Sequence, residues 1–184
     1  MSAPTASGRA ILDEDQLGRT LRRVAHEIVE KHADLDQLAL VGIYTRGALL
    51  AERLHDLIEQ FTGRWVPTGA LDISFYRDDV RIHPQPVVKA TRLDFPIDGR
   101  SVVLVDDVLF TGRTIRAAIE ALFDYGRPER VQLAVLVDRG HRELPIRPDY
   151  VGKNVPTARS ERVNVNLEEA DEFDRVLLLD RGEE

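Results

Sequence analysis

Short apolar runs along the chain alternate with amphipathic stretches, and this alternation predicts strands that are each followed by a helix. Residues 38–43, 102–105 and 131–137 are apolar at almost every position, which is typical of parallel strands that are buried on both faces. Weaker strand signals follow at 163–167 and 176–179. The pattern predicts an α/β fold in which helices cover both faces of a mostly parallel sheet.

Three amphipathic stretches predict the main helices, because their apolar residues recur every three or four positions. The first stretch begins at Asp13, and the second ends at Thr62 and Gly63, where a glycine favours a left-handed C-terminal cap. Thr114 is expected to cap the N-terminus of the third helix. The apolar face of that helix is predicted to consist of Ile115, Ala118, Ile119, Leu122 and Phe123.

The remaining segments are predicted to be irregular. Residues 1–11 are small and polar, as in a loose N-terminal lead-in, and residues 138–157 form a polar connection. Residues 76–96 are rich in charge and proline, and so long a connection predicts a mobile lid or an extended hairpin. We find no internal repeat and no linker, so residues 1–184 are expected to form one domain.

Composition narrows the possible chemistry. The 184 residues include no cysteine, which excludes disulfides, thiolate metal sites and cysteine nucleophiles and favours a reducing, cytoplasmic location. There is neither a signal peptide nor an apolar run of about 18 residues, so we expect a soluble protein without a membrane segment. The formal net charge of −7 disfavours non-specific binding to nucleic acid or anionic membrane.

The polar side of the first helix is nevertheless basic. Arg19, Arg22, Arg23 and His26 fall within about 100° of one another around its axis. A solvated outer surface is the commoner explanation for such a run, although such surfaces usually mix both signs of charge. Both interpretations stay open at this point.

The turn after residues 102–105 holds the best candidate chemistry, since ligands of parallel sheets bind beyond the carboxyl ends of the strands. Residues 111–114 read Thr-Gly-Arg-Thr, and hydroxyls and a glycine backbone at a helix N-terminus favour a phosphate group. Asp106 and Asp107 could hold the hydroxyls of an attached sugar, with Mg²⁺ brought by the substrate nearby. Ribose 5-phosphate fits both halves, whereas an ordinary capped turn with solvated acids is the competing explanation.

Two other strand-end turns, at 44–47 and 138–143, belong to the same predicted edge of the sheet. In the second turn, His141 and Glu143 stand two residues apart. With no second histidine nearby, this spacing is weak support for a zinc site. An arginine-rich base pocket or a salt-bridged loop is the favoured interpretation.

Residues 102–114 resemble the 5-phosphoribosyl 1-diphosphate (PRPP) signature of type I phosphoribosyltransferases, an apolar strand followed by two acids, a spacer and Thr-Gly-x-Thr. Further segments, AHEIVE at 25–30, VGIYTRG at 41–47, DIxxYRDD at 72–79 and the run at 133–157, are similar to the PyrR family over nearly the whole chain. That family combines regulation of the pyrimidine operon with uracil phosphoribosyltransferase activity.

The resemblance implies a type I phosphoribosyltransferase-like fold, a parallel twisted sheet with flanking helices, a small base-binding hood and a flexible lid. It implies the reaction uracil + PRPP → UMP + diphosphate with Mg²⁺ as cofactor. In many members, UMP-dependent binding to the leader mRNA of the pyrimidine operon attenuates transcription. It also implies a homo-oligomer, a dimer or a larger assembly.

The site residues carried over from the resemblance fall into groups. Asp106 and Asp107 would hold the ribose hydroxyls and act in catalysis together with Arg139. Thr45 and Arg46 would bind the diphosphate. The 5-phosphate would be bound by Val108, Leu109, Phe110, Thr111, Gly112, Arg113 and Thr114.

Three further groups complete the implied machinery. The uracil pocket would be formed by Asp138, Arg139 and Val163, the last through its backbone. The lid would open with Tyr76, Arg77, Asp78 and Asp79. The RNA surface would comprise Arg19, Arg22, Arg23, His26 and Lys153.

Alternative functions stay open at the level of sequence. The chain could be a nucleotide-sensing RNA-binding regulator with weak or no catalytic activity. A phospho-signalling receiver domain also carries an acidic pair after an apolar strand, but such domains place it near the N-terminus, whereas here it lies at 106–107 before Thr-Gly-Arg-Thr. The acceptor of the uracil N1 proton is also open, with a carboxylate of the pair as the candidate.

Overall fold

Residues 8–78 and 88–180 are described by the structure, a computed structural model, and they form two sheets with flanking helices. The first half of the chain contains β1 (Arg9–Leu12), α1 (Glu14–Lys31), β2 (Leu38–Ile43), α2 (Arg46–Thr62) and β3 (Thr68–Leu71). The second half contains β4 (Ser101–Leu109), α3 (Arg113–Phe123), β5 (Arg130–Asp138), β6 (Tyr150–Asn154), β7 (Arg162–Asn166), α4 (Glu168–Asp171) and β8 (Arg175–Leu179).

The larger sheet has five parallel strands in the order β3-β2-β4-β5-β6. Successive residues of a strand point to opposite faces, and each face of this sheet is packed against its own hydrophobic core. In β2, Leu38 and Leu40 belong to the core formed with α1 and α2, whereas Ala39 and Val41 belong to the core formed with α3. The prediction of a parallel sheet covered on both faces is confirmed.

The ends of the first two helices follow local chemistry. Asp13 accepts a hydrogen bond from the backbone N–H of Gln16, whose side chain accepts from the N–H of Asp13, a capping box that satisfies two otherwise unpaired donors. At the C-terminus of α2, Gly63 has a φ of 67° and a backbone N–H that donates to the Glu59 carbonyl. Both predicted boundaries are confirmed.

The smaller sheet is antiparallel, in the order β1-β8-β7, and together with α4 it forms the hood. Its first strand corrects the expectation of a loose lead-in for residues 9–11, whereas residues 1–7 of that predicted lead-in lie outside the described residues. Arg9 pairs with Leu178, and Ile11 and Leu12 are buried in the core. These apolar side chains explain why the strand begins so early.

Three further expectations are wrong in detail. β4 extends to Leu109, so Asp106 and Asp107 lie in the strand rather than in the turn after it. Thr114 does not cap α3, because the helix begins at Arg113 after Gly112, which adopts a φ of 94°. The predicted polar connection over 138–157 contains β6.

The predicted apolar face of α3 is also shorter than expected, because Phe123 is half exposed at the last turn of the helix. The lid or hairpin expected over residues 76–96 lies partly outside the described residues, which omit 79–87. Within the described part of this segment, Arg92 exchanges backbone hydrogen bonds with Ala70 of β3. Among the described helices, none is both long enough and apolar enough to span a bilayer.

Candidate active site

The acid pair lies at the carboxyl end of β4, in the middle of the parallel sheet. Asp106 is buried and its Oδ1 accepts a hydrogen bond of 2.9 Å from the N–H of Asp107, whose own Oδ1 accepts one of 2.9 Å from Val108. Burial in the sheet raises the pKa of Asp106 well above its ordinary value. The negative charge of the neighbouring Asp107 is a second, smaller cause of the same increase. The pair therefore combines a buried carboxyl group with a more accessible one.

The loop from β4 to α3 encloses a cleft of about 210 Å³, lined by residues 108–115 and covered by Arg77 and Asp78. Gly112 takes a left-handed conformation there that suits glycine, and Ile146 stands 3.3 Å from where a Cβ would be. The backbone N–H of Arg113 donates to the Thr111 hydroxyl at 3.3 Å. The structure thus brings the predicted phosphate-binding residues into one cleft beside the acid pair.

Arg113 joins this loop to two other segments. Its guanidinium lies 2.6 Å from an Asp78 carboxylate oxygen and 2.9 Å from a Glu143 oxygen. Asp78 therefore lies over the loop, as does Arg77 of the same cleft. Tyr76 instead donates its hydroxyl to Asp124, and the fourth residue of the predicted lid, Asp79, lies outside the described residues.

The turn at 44–47 reaches the same edge of the sheet. Gly47 packs so closely on β4 that an added Cβ would stand 3.2 Å from the Asp106 Cα atom. The Thr45 hydroxyl accepts a hydrogen bond of 3.1 Å from Lys89 Nζ, and Arg46 Nη2 donates to both carboxylate oxygens of Asp171, at 2.9 and 3.0 Å. Thr45 and Arg46 therefore adjoin the acid pair, as the sequence predicts.

Arg139 lies beside the loop from β4 to α3, and only 7% of it is exposed. Its guanidinium carbon stacks 3.9 Å from the centre of the Phe110 ring, and one nitrogen donates to the Ala158 carbonyl at 3.1 Å. Burial lowers the pKa of Arg139, and its buried Nε has no hydrogen-bond partner in the described part of the chain. A cleft of about 590 Å³ opens beside it, lined by Phe110, Arg139 and residues 159–162.

The loop after β5 is held by Arg142 rather than by a metal-like cluster. Arg142 donates to an Asp138 carboxylate oxygen at 2.6 Å and to the carbonyls of Phe110 and Ile146 at 2.9 Å. His141 Nε2 lies 2.7 Å from the Thr157 carbonyl oxygen. Within residues 8–78 and 88–180, no group of three or more His, Asp or Glu side chains could hold a metal ion.

The interpretation of this loop as salt-bridged is confirmed, and the base pocket stays a prediction. Arg142 and Glu143 form salt bridges, while Asp138 and Arg139 line a second cleft of about 640 Å³ with Val155 and Pro156. Val163 lies apart from the clefts described above. Its side chain is buried in the core from β7, and the residues just before it, Glu161 and Arg162, line the cleft beside Arg139.

The predicted RNA surface is exposed but divided. Arg22 lies with its guanidinium carbon 5.6 Å from the centre of the Phe61 ring, on which His26 stacks at 3.8 Å. Arg23 faces the other way, to Glu27 at 2.6 Å and to the Gly152 carbonyl at 2.5 Å. The remaining two residues are also exposed on the surface, Arg19 on α1 and Lys153 on β6.

Several residues at the site escape sequence reasoning. Asp171 meets Arg46 across 125 positions of the chain, and Glu143 joins Arg113 to Arg159. Val155 and Pro156 line a cleft although they follow a strand that the sequence does not reveal. No local pattern marks any of these contacts, because each depends on how distant segments pack together.

Comparisons with known proteins agree with this geometry. A family model described as a phosphoribosyl transferase domain matches residues 7–170. The Bifunctional protein PyrR of Caldicellulosiruptor bescii is 56% identical over 176 residues, which cover 94% of this chain and 97% of that protein. The Bifunctional protein PyrR of Deinococcus radiodurans is 54% identical over 181 residues, which cover 98% and 97%.

Solved structures share the fold at low identity. The hypoxanthine phosphoribosyltransferase of Trypanosoma cruzi, in complex with IMP, superposes with a TM-score of 0.72 at 20% identity, covering 97% of each chain. That of Staphylococcus aureus gives a TM-score of 0.71 at 18% identity, again with 97% of each chain covered. By its domain and by its relatives, the chain belongs to the phosphoribosyl transferase domain family and, within it, to the PyrR family of bifunctional proteins.

Proposed function

We propose that the protein transfers the phosphoribosyl group of PRPP to uracil, giving UMP and diphosphate, and that it regulates the pyrimidine operon by UMP-dependent binding to leader mRNA. The cleft between β4 and α3 carries the catalytic half of this proposal, because its lining, residues 108–115, directly follows the acid pair and includes the hydroxyls and backbone N–H groups at the start of α3. The bifunctional naming of the PyrR relatives supports both halves.

The reaction requires stabilisation of charge more than a strong nucleophile. N1 of uracil forms a bond to C1 of the ribose, the bond from C1 to the diphosphate oxygen breaks, and the N1 proton is lost. Positive charge develops on the sugar while negative charge develops on diphosphate. In our proposal Asp106 and Asp107 stabilise the positive charge on the sugar, and Arg46 stabilises the negative charge on diphosphate.

The remaining residues fix the substrates around that centre. The loop at 108–114 holds the 5-phosphate through its backbone N–H groups and the hydroxyls of Thr111 and Thr114. Arg139 is held in place by Phe110 and Ala158 at the edge of a cleft, so its remaining donors can meet carbonyl oxygens of uracil, next to Asp138 and a backbone contact from Val163. The lid residues from Tyr76 onwards, including Arg77 and Asp78, would exclude water.

The donor set fits a magnesium ion that is shared with the substrate. Mg²⁺ prefers one or two carboxylates together with phosphate oxygens and water, and Asp106 and Asp107 supply two adjacent carboxyl groups in β4, directly before the residues that line the cleft. When bound, the ion would neutralise charge on the diphosphate. The protein's contribution is to place the two carboxylates and to keep the sugar hydroxyls in register with them.

The test of catalysis is release of diphosphate from PRPP with Mg²⁺, measured in parallel with uracil, cytosine, hypoxanthine, guanine and orotate. We expect turnover with uracil alone. If calorimetry shows PRPP or UMP binding but no base supports turnover, the site is a nucleotide sensor and the purely regulatory alternative replaces the enzyme. Turnover with a purine and not uracil would contradict the proposed substrate.

The exposed basic residues of α1 support the regulatory half of the proposal. Arg19, Arg22, Arg23 and His26 offer cations and a histidine on one exposed helix, with Lys153 on the neighbouring β6. Phosphate contacts of this kind make RNA affinity fall as salt rises, and single-stranded loops are the usual targets of sequence-specific readers. Binding of the leader RNA with and without UMP, at two salt concentrations, tests this half.

We also propose a homo-oligomer that acts in the cytoplasm, where PRPP and mRNA are both available. Phe75 is 82% exposed, and Phe123 and Tyr125 are half exposed. The hydrogen bond from Tyr76 to Asp124 places these exposed aromatic side chains in adjoining segments, and exposed apolar side chains that lie close together favour association. Sedimentation of the wild type against Phe75→Ser tests the proposal, and a monomeric wild type would contradict it.

A further inference from the structure

The contact between Arg46 and Asp171 links two parts of the protein that are distant in the chain. Arg46 is the first residue of α2, at the turn that adjoins the acid pair, and Asp171 ends α4 in the hood. Arg46 Nη2 donates to both carboxylate oxygens of Asp171, at 2.9 and 3.0 Å. One nitrogen of the guanidinium is thereby fixed, and its other nitrogens are left to point elsewhere.

Asp171 is itself held in place. Its Oδ2 accepts a hydrogen bond of 2.9 Å from the N–H of Leu167, and its own N–H donates to the Leu167 carbonyl at 2.7 Å. Burial alone would raise the pKa of Asp171, but the Leu167 amide and then the Arg46 guanidinium outweigh it and hold that pKa below its ordinary value. The carboxylate is therefore a charged, oriented acceptor.

An arginine without such a partner would sample many rotamers. Arginine loses considerable side-chain entropy when it is fixed, and a charge-assisted contact to both oxygens of one carboxylate restricts it before any ligand arrives. The Arg46 side chain remains 32% exposed, and within the described residues its buried Nε lacks a hydrogen-bond partner. The guanidinium thus retains donors for an anion.

We infer that Asp171 is a positioning residue, which holds Arg46 ready for the diphosphate group of PRPP and thereby connects the hood to the phosphoribosyl site. The inference deepens the proposed function and rests on the assignment of Arg46 to diphosphate binding. Asp171 does not contact the reacting atoms, and it acts through Arg46. Its loss should therefore affect PRPP and diphosphate while sparing uracil.

The neighbouring ion pairs provide a matched control. Arg53, two turns further along α2, lies 2.6 Å from carboxylate oxygens of both Asp174 and Glu169. These pairs join the same helix to the same part of the hood, but they do not contact Arg46. Asp174→Asn therefore weakens the anchoring of the hood and leaves the partner of Arg46 intact.

The experiment compares Asp171→Asn and Asp174→Asn with the wild type. We expect Asp171→Asn to raise the KM for PRPP and the inhibition constant of diphosphate by about 10-fold, as misplaced binding groups do, with an unchanged KM for uracil. Asp174→Asn is expected to lower the melting temperature and leave both constants near those of the wild type. Combined with Arg46→Ala, Asp171→Asn should add no further loss, because its effect passes through Arg46.

The results that would overturn this inference differ from the result that would overturn the proposed function. Unchanged constants in Asp171→Asn, an equal rise in Asp174→Asn, or additive losses in the Arg46→Ala background would each overturn the inference. If Asp171→Asn does not fold, Asp171→Ser replaces it, since a serine hydroxyl can still accept from the Leu167 amide. If the wild type shows no turnover with uracil, the proposed function fails, and calorimetry of Mg²⁺-diphosphate binding to the same variants still tests the role of Asp171.

Discussion

The carboxyl group of Asp106 lies inside the sheet, 7% exposed, in a strand whose neighbours are apolar. Its pKa is raised above the ordinary value of 3.8 because burial disfavours the charged form. The folded protein therefore binds this proton more tightly than the unfolded chain does. The resulting stabilisation is present at acidic pH and is lost as the pH rises from 3.8 through the raised folded value.

This linkage predicts the behaviour of Asp106→Asn. The amide oxygen can still accept from the Asp107 N–H, but the variant has no buried charge at about pH 8. Because the variant does not have to hold a charge inside the sheet at that pH, it should be more stable than the wild type there. Uracil turnover should fall about 100-fold or more, because charge stabilisation at the sugar is lost.

Thermal unfolding at acidic and alkaline pH measures the stability difference, which should shrink as the pH falls. Asp107→Asn is the control, since its less buried carboxylate should cost activity without the same gain in stability. A less stable Asp106→Asn at alkaline pH would show that the charged carboxylate contributes favourably to the fold.

The hydroxyls of Thr111 and Thr114 carry a second prediction at this scale. Replacing both by alanine should weaken PRPP binding by about 1.5 kcal/mol or more for each lost hydrogen bond to a charged phosphate. The melting temperature should change little, since both side chains are only partly buried. Calorimetric PRPP affinity is the measurement, with Thr68→Ala at the opposite edge of the sheet as the control, and unaltered affinity of the double variant would refute the phosphate cradle.

At the scale of elements, two glycines show where the fold tolerates a side chain. A Cβ at Gly47 would stand 2.4 Å from the Val105 carbonyl oxygen, whereas a Cβ at Gly18, on the exposed side of α1, would meet nothing within 4 Å. Gly47 therefore sets how closely α2 packs on β4, and this close approach places Arg46 beside the acid pair.

Replacing Gly47 or Gly18 by alanine is expected to have opposite effects on stability. Gly47→Ala should destabilise the protein by about 2 kcal/mol or more, because the backbone of β4 must shift. Gly18→Ala should stabilise it by roughly 0.5–1 kcal/mol through lower chain entropy in the unfolded state. Urea unfolding measures both, and a neutral Gly47→Ala would mean that helix and strand can separate without cost.

The elements also show how far the sequence predicts the fold. The strand β2 is apolar throughout and β5 is apolar over most of its length, so both could be predicted, because burial on both faces leaves an unambiguous pattern. The edge strand β6 was not predicted, since Gly152, Lys153 and Asn154 lack that pattern and pairing with β5 alone makes it a strand. In the same way, pairing with β5 extends β4 beyond its apolar residues to include Asp106 and Asp107.

The sequence likewise predicts one part of the candidate site and not the other. Residues 108–114, which line the cleft, directly follow Asp106 and Asp107, so the local sequence alone predicts that the cleft adjoins the acid pair. Arg46 forms an ion pair with Asp171, and Arg113 forms ion pairs with Asp78 and Glu143. Such partners depend on tertiary packing, which a local pattern does not encode.

At the scale of the whole molecule, the charge distribution matters more than its sum. The net charge is −7, yet α1 presents three exposed arginines and a histidine. Two of these arginines differ in their surroundings. Arg23 is tied to Glu27 and to the backbone of β6, so reversing its charge would disturb packing, whereas Arg22 contacts only the face of Phe61 among the described residues.

Arg19→Glu combined with Arg22→Glu is therefore the cleaner test of RNA binding. If this surface contacts RNA phosphates, affinity for the leader RNA in the presence of UMP should fall about 100-fold and its dependence on salt should flatten. Uracil turnover should persist, because neither Arg19 nor Arg22 lines the clefts of the candidate site. Arg127→Glu with Arg130→Glu makes the same change in net charge at the opposite edge of the sheet, so equal losses in both double variants would mean that overall charge, and not the α1 surface, determines RNA affinity.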